Sequence, residues 1–101
     1  MAPVLVLYNT PADPAAFDSY YRQTHIPIAK QIPGLRSYTV SAGPVQALAG
    51  SAPYLVAILH FDSMVEVQAA FASPEGQAAA GDLPNFASSG ATLLIYDSKT
   101  V

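Results

Sequence analysis

The chain contains no cysteine, little charge and no long apolar run. Without cysteine there are no disulfides, no thiolate catalysis and no Cys-based zinc or iron–sulfur site. Only four residues are lysine or arginine and the net charge is −3. No two of these basic residues are adjacent, so the clustered cations that neutralise nucleic-acid phosphates are missing and no nucleic-acid partner is expected. The apolar runs reach about five to seven residues, against the ~20 that span a bilayer, and no membrane partner is expected. Met1-Ala2-Pro3 lacks the basic start of a signal peptide, which makes cytoplasm the default expectation. Gly34, Gly43, Gly50, Gly76, Gly81 and Gly90 are scattered, so no phosphate-cradling loop is formed. No cofactor and no metal are expected.

What is present is apolar. Hydrophobic residues make up 51% of the 101 and charged residues 11%, where about 25% charged is usual. One domain of this size cannot hide that much apolar surface, and large exposed patches mark interfaces. The composition predicts a homo-oligomer.

Val4–Tyr8 is a continuous apolar, β-branched-rich run and reads as a strand buried on both faces. Asp13-Pro14 marks a helix start, with a carboxylate for the free N–H groups and proline at the first helical position. Phe17, Tyr21, Thr24, Ile28 and Ile32 then form the inner stripe of an amphipathic helix. Pro27 removes an N–H and should loosen that helix near Gln23 and Thr24. Pro33-Gly34 ends it, and 35–40 reads as a second strand. Residues 41–53 read as a loop. In 54–61, Tyr54, Val56, Ile58 and His60 share one face, and Leu55, Ala57, Leu59 and Phe61 the other. Both faces are apolar, so this chain's helices should cover one and a second copy the other. Ser63 with Glu66 fits a capping box at the start of the next helix, which carries Val67, Ala70 and Phe71 inward, and Ser73-Pro74 restarts a short helix to about Ala80. Asp82–Phe86 reads as a turn with an apolar anchor, and 91–96 as the last strand. The order β-α-β-β-α-β predicts an α+β, ferredoxin-like domain over 1–101, with a four-stranded antiparallel sheet and helices on one face. Two bare sheet faces packed together would make a dimeric α+β barrel.

Tyr21-Arg22-Gln23-Thr24-His25-Ile26-Pro27-Ile28, followed by Ile32-Pro33-Gly34-Leu35-Arg36-Ser37-Tyr38, resembles the signature of the EthD family. Phe61-Asp62-Ser63, Ser73-Pro74-Glu75-Gly76-Gln77 and Asp82-Leu83-Pro84-Asn85-Phe86 are similar to that family too. Ile28 stands where leucine is usual, and 41–53 looks like a variable insertion. The resemblance implies a small dimeric protein of the ferredoxin-like barrel type, its founding member tied to bacterial ethyl tert-butyl ether degradation beside a monooxygenase. Relatives by fold include cofactor-free monooxygenases, lactone isomerases, polyketide cyclases and haem-handling enzymes. One fold therefore admits several reactions.

His25 is the first candidate: it follows Tyr21 by four residues and Arg22 by three, and its ordinary pKa near ~6.5 suits proton transfer. Its structural alternative is to cap a carbonyl freed by Pro27. Tyr21 and Tyr38 are candidates to steer an enol or phenol, or else pack in the core. Phe17 and Ile28 would line the pocket, while Arg22 and Arg36 would hold a carboxylate or enolate, or form rim ion pairs. His60 reads as a polar group facing the partner subunit or the ligand, with Asp62 belonging to the helix start; less readily, the two form a base with its orienting carboxylate or a metal pair. Three readings of function stay open at this point. One is an enzyme binding a small apolar or aromatic molecule, with His25 as acid/base in oxygenation, isomerisation or cyclisation. Another is a non-catalytic ligand-binding dimer serving a catabolic oxygenase, and haem held through His25 is a third reading.

Overall fold

A computed structural model describes residues 1–101. Alternating apolar side chains build four strands: β1 (Ala2–Tyr8), β2 (Ser37–Val40), β3 (Leu55–Phe61) and β4 (Ala91–Ile95). They form one antiparallel sheet in the order β2-β3-β1-β4. Val4, Val6, Tyr8, Ala57, Leu59 and Phe61 point to one face, under the helices, and are buried. On the opposite face, Thr39, Ile58, Leu5 and Leu94 line up in register across all four strands. No element of this chain covers that row, and Leu94 is 46% exposed. The molecule measures 35 × 34 × 19 Å, one sheet and one helix layer thick. β1 is thus fully buried on the helix face, while on the other face Pro3 is buried and Leu5 and Leu7 are only half-buried.

The first helical stretch comprises α1 (Pro14–Tyr20), a π-helical segment (Tyr21–His25) and α2 (Ile26–Ala29). The Asp13 carboxylate accepts from the Ala16 N–H at 3.1 Å, as a helix-starting residue should. The loosening expected from Pro27 takes the form of the π segment, where the Ile26 N–H donates to the Tyr21 carbonyl. Its wider turn moves the inner stripe. The buried residues are Phe17, Tyr21, His25, Ala29 and Ile32. His25 and Ala29 replace Thr24 and Ile28, which are only half-buried. Each step along the stripe from 17 to 29 is four residues, which an uninterrupted 3.6-residue period would not sustain.

After β3, the Ser63 hydroxyl accepts from the Glu66 N–H at 3.2 Å and starts α3 (Met64–Ala72). Ser73 separates α3 from α4 (Pro74–Phe86) and its Oγ accepts from the Gly76 N–H at 3.1 Å. α4 does not stop at Ala80 but continues through Asp82 and Pro84 to Phe86. Pro84 leaves the Ala80 carbonyl without its helical donor, but Ala80 is exposed, so water can take that role.

Candidate functional site

The π segment turns His25 inward, and α4 brings Asp82 to it. His25 Nδ1 lies 2.9 Å from Asp82 Oδ2. The other carboxylate oxygen accepts from the Tyr20 hydroxyl at 2.6 Å and from Asn85 Nδ2 at 3.0 Å. His25 and Asp82 are the buried polar pair of the core, at 5% and 6% exposure. Burial pushes the His25 imidazole below its ordinary value, and Asp82 only partly offsets this. Burial alone would raise the Asp82 carboxyl, but hydrogen bonds from Tyr20, Asn85 and His25 outweigh it and hold it low. At neutral pH the pair is therefore a carboxylate and a neutral imidazole that donates its Nδ1–H. Nε2 has no protein partner and is not sealed from solvent.

A cavity of about 790 Å³ lies beside this network, between the first helical stretch and residues 41–55. Phe17 and Tyr21 form its aromatic wall, their rings stacked at 5.9 Å, and Tyr54 meets Phe17 edge-on at 5.4 Å. The Tyr21 hydroxyl is 2.5 Å from that of Tyr38. Burial and the neighbouring Tyr38 push Tyr21 well above the usual phenol range, and burial does the same to Tyr38. These hydroxyls stay protonated at neutral pH, and since one donates to the other, a single O–H of the pair is left to donate elsewhere. Arg22 and Asp18 are the charged residues of the cavity wall. The Asp18 carboxylate accepts from the Tyr54 hydroxyl at 2.8 Å, which ties α1 to the start of β3.

Of the residues singled out in the sequence, Phe17, Tyr21 and Arg22 line this cavity. Tyr38 reaches its edge through Tyr21. His25 stands behind Tyr21, ring to ring at 5.5 Å, and is not part of the cavity wall. Ile28 packs half-buried against the core. Arg36 is spent on the surface, where Nε and Nη2 both donate to Asp62 Oδ2 at 3.0 and 2.7 Å. That separates Asp62 from His60, which sits half-buried on the sheet face away from the helices, between Pro3 and Ser37 in register, its Nδ1 sealed from solvent without a partner. No three His, Asp or Glu side chains converge anywhere in the chain. A second, wholly apolar gap under α4 has about 30 Å³, room for one water-sized group.

Asp82, Asn85 and the hydroxyl of Tyr20 are the participants that the sequence reading missed. With Asp82–Phe86 taken as a turn, nothing placed Asp82 opposite His25. The available signal was the Asp82/Asn85 spacing of three, which puts both on one side of a continuing helix.

An EthD domain model matches residues 9–90. An uncharacterised 11.0 kDa protein of the thcB-thcC intergenic region of Rhodococcus erythropolis is 49% identical, over 97% of this chain and 95% of its own. A crystal structure of an EthD family protein from Bacillus halodurans superposes with a TM-score of 0.87 at 33% identity, covering 98% of this chain and 99% of that one. SnoaB, a cofactor-independent oxygenase from Streptomyces nogalater, shares the fold alone: TM-score 0.67, 16% identity, 99% and 94% coverage. Dimeric ferredoxin-like proteins from Thermobifida fusca and Jannaschia share it at TM-scores of 0.68 and 0.70, with 14% and 17% identity and coverage of 94% and 88%, and 96% and 98%. The match over 9–90, and a relative with nearly half its residues identical, place the chain in the EthD family.

Proposed function

We propose that the protein is a homodimer that binds a small aromatic or otherwise apolar molecule in the cavity walled by Phe17, Tyr21 and Tyr54. The observation that carries this reading is the cavity itself. At about 790 Å³ it falls within the ~300–1,000 Å³ of small-molecule sites, and it has a few placed polar groups among aromatic walls. The reaction class is isomerisation, cyclisation or cofactor-independent oxygenation in the catabolism of a carbonyl-bearing ring compound. Tyr21, seconded by Tyr38, donates a hydrogen bond to the carbonyl or enolate oxygen and so favours loss of a proton from the neighbouring carbon. His25, oriented by Asp82, is the group of suitable basicity, and Tyr21 lies between it and the cavity. That position favours a second reading, in which the dimer binds its ligand without turnover and serves a catabolic oxygenase. The bare row Thr39, Ile58, Leu5 and Leu94 and the dimeric state of fold relatives support the dimer.

A thermal-shift panel of phenols, quinones and lactones, run on wild type and Ala52→Trp, tests the reading. Ala52 lines the cavity from an exposed loop, so a large side chain there fills the space without entering the core. Ring compounds should raise the melting temperature of wild type and not of the variant. Light scattering on the same samples should give twice the 10.6 kDa of one chain. Shifts that persist in Ala52→Trp, or none at all, overturn the cavity as the site.

A further inference from the structure

We infer that the ligand of this cavity carries an anionic group, a carboxylate on an aromatic or enone ring, and that Arg22 receives it. The inference rests on the cavity reading above and narrows it to a substrate class. Arg22 is the one cation on the cavity wall. Arg36, the other arginine, is bound to Asp62 on the far end of the sheet. Asp18 is four residues before Arg22 on the same helical stretch, where the two would ordinarily pair. They do not: the ion pairs of the chain are His25–Asp82 and Arg36–Asp62. Asp18 instead takes the Tyr54 hydroxyl.

This leaves a guanidinium without a protein anion at the edge of an aromatic cavity. A guanidinium offers parallel N–H donors that match the two oxygens of a carboxylate. Phe17, Tyr21 and Arg22 border the same space, so a ring seated at the largely buried Phe17–Tyr21 wall has Arg22 on the rim of its own site. A neutral ring would leave the exposed guanidinium to water and gain at most a weak cation–π contact from it.

The test compares 2-naphthoate with 2-naphthamide, two probes of one shape that differ in charge, by calorimetric titration of wild type, Arg22→Gln and Arg22→Lys. Arg22 is solvent-exposed, so each variant should keep the wild-type melting temperature. Wild type should prefer the carboxylate by about fivefold or more, consistent with a partly solvated charged hydrogen bond. Arg22→Gln should abolish the preference, and Arg22→Lys should retain part of it. Equal binding of the two probes by wild type overturns the anionic class and leaves the cavity reading standing. An unchanged preference in Arg22→Gln overturns the role of Arg22. Failure of both probes to bind wild type overturns the inference together with the reading beneath it.

Discussion

Asp82→Ala should lower stability by about 3 kcal/mol, or about 15 °C in melting temperature for a domain of this size. One carboxylate accepts from His25, Tyr20 and Asn85, and it links α4 to the first helical stretch. Its removal leaves the buried His25 Nδ1–H without an acceptor. Asp82→Asn should cost less, because the amide oxygen still accepts from Tyr20 and Asn85. His25 would then switch tautomer to accept from the amide N–H. The pH dependence carries its own signature. The folded His25 is lowered, so below about 6.5 the unfolded chain binds a proton that the folded chain does not. Stability is therefore full above that value and falls as the pH drops through it. The Asp82 contribution, also from a lowered group, is present above about 3.8 and is lost on further acidification. His25→Gln should flatten the first decline and leave the second. Urea midpoints at a series of pH values measure both. A wild type equally stable at pH 7 and pH 5 would contradict the neutral-imidazole assignment.

Gly76→Ala should destabilise at least as much, above about 3 kcal/mol, because the added methyl meets backbone that cannot yield. A Cβ at this position would overlap the Ala70 carbonyl oxygen and come within 2.8 Å of Phe71 Cα and 2.9 Å of Ala70 C. Those atoms belong to the end of α3, where Ser73 both donates to the Ala70 carbonyl at 2.5 Å and caps α4. Relief requires α4 to swing away from α3, which carries Asp82 off His25. Gly81, in the same helix, meets nothing within 4 Å, so Gly81→Ala should be neutral or slightly stabilising. Calorimetric melting of the two alanine variants side by side gives the comparison. A mild Gly76→Ala would mean that the α3–α4 junction is looser than its geometry implies.

Local chemistry made most of the fold legible. Asp13-Pro14 and Ser63 start helices where their side chains can accept first-turn N–H groups. The alternation placed Leu55–Phe61 on the correct faces, but Tyr54, grouped with Val56, Ile58 and His60, turns instead to Phe17 and Asp18 on the helix side. The inner stripe was read one residue short at Thr24 and Ile28, because a π turn changes the period and periodicity assumes a constant one. Pro84 hid the larger part of the site: proline is a breaker on average, yet a last-turn proline whose orphaned carbonyl belongs to an exposed residue is tolerated. With α4 cut at Ala80, His25 had no visible carboxylate. Tyr21 and Arg22 were legible as candidates from their place beside His25. What separates them from His25, a cavity wall built by residues 41–55, depends on how a loop folds back, and its composition does not encode that path.

The most direct test of the account is an amide-resolved NMR titration of the labelled wild-type protein with 2-naphthol, a neutral ring small enough for the cavity. The account predicts saturable shifts at Phe17, Asp18, Tyr21, Arg22, Ser41, Gly43, Val45 and Leu55, which line one space. Shifts gathered instead around Leu5, Ile58 and Leu94, or no saturable shifts, would contradict it and mark the bare sheet face as the only apolar surface that the protein uses.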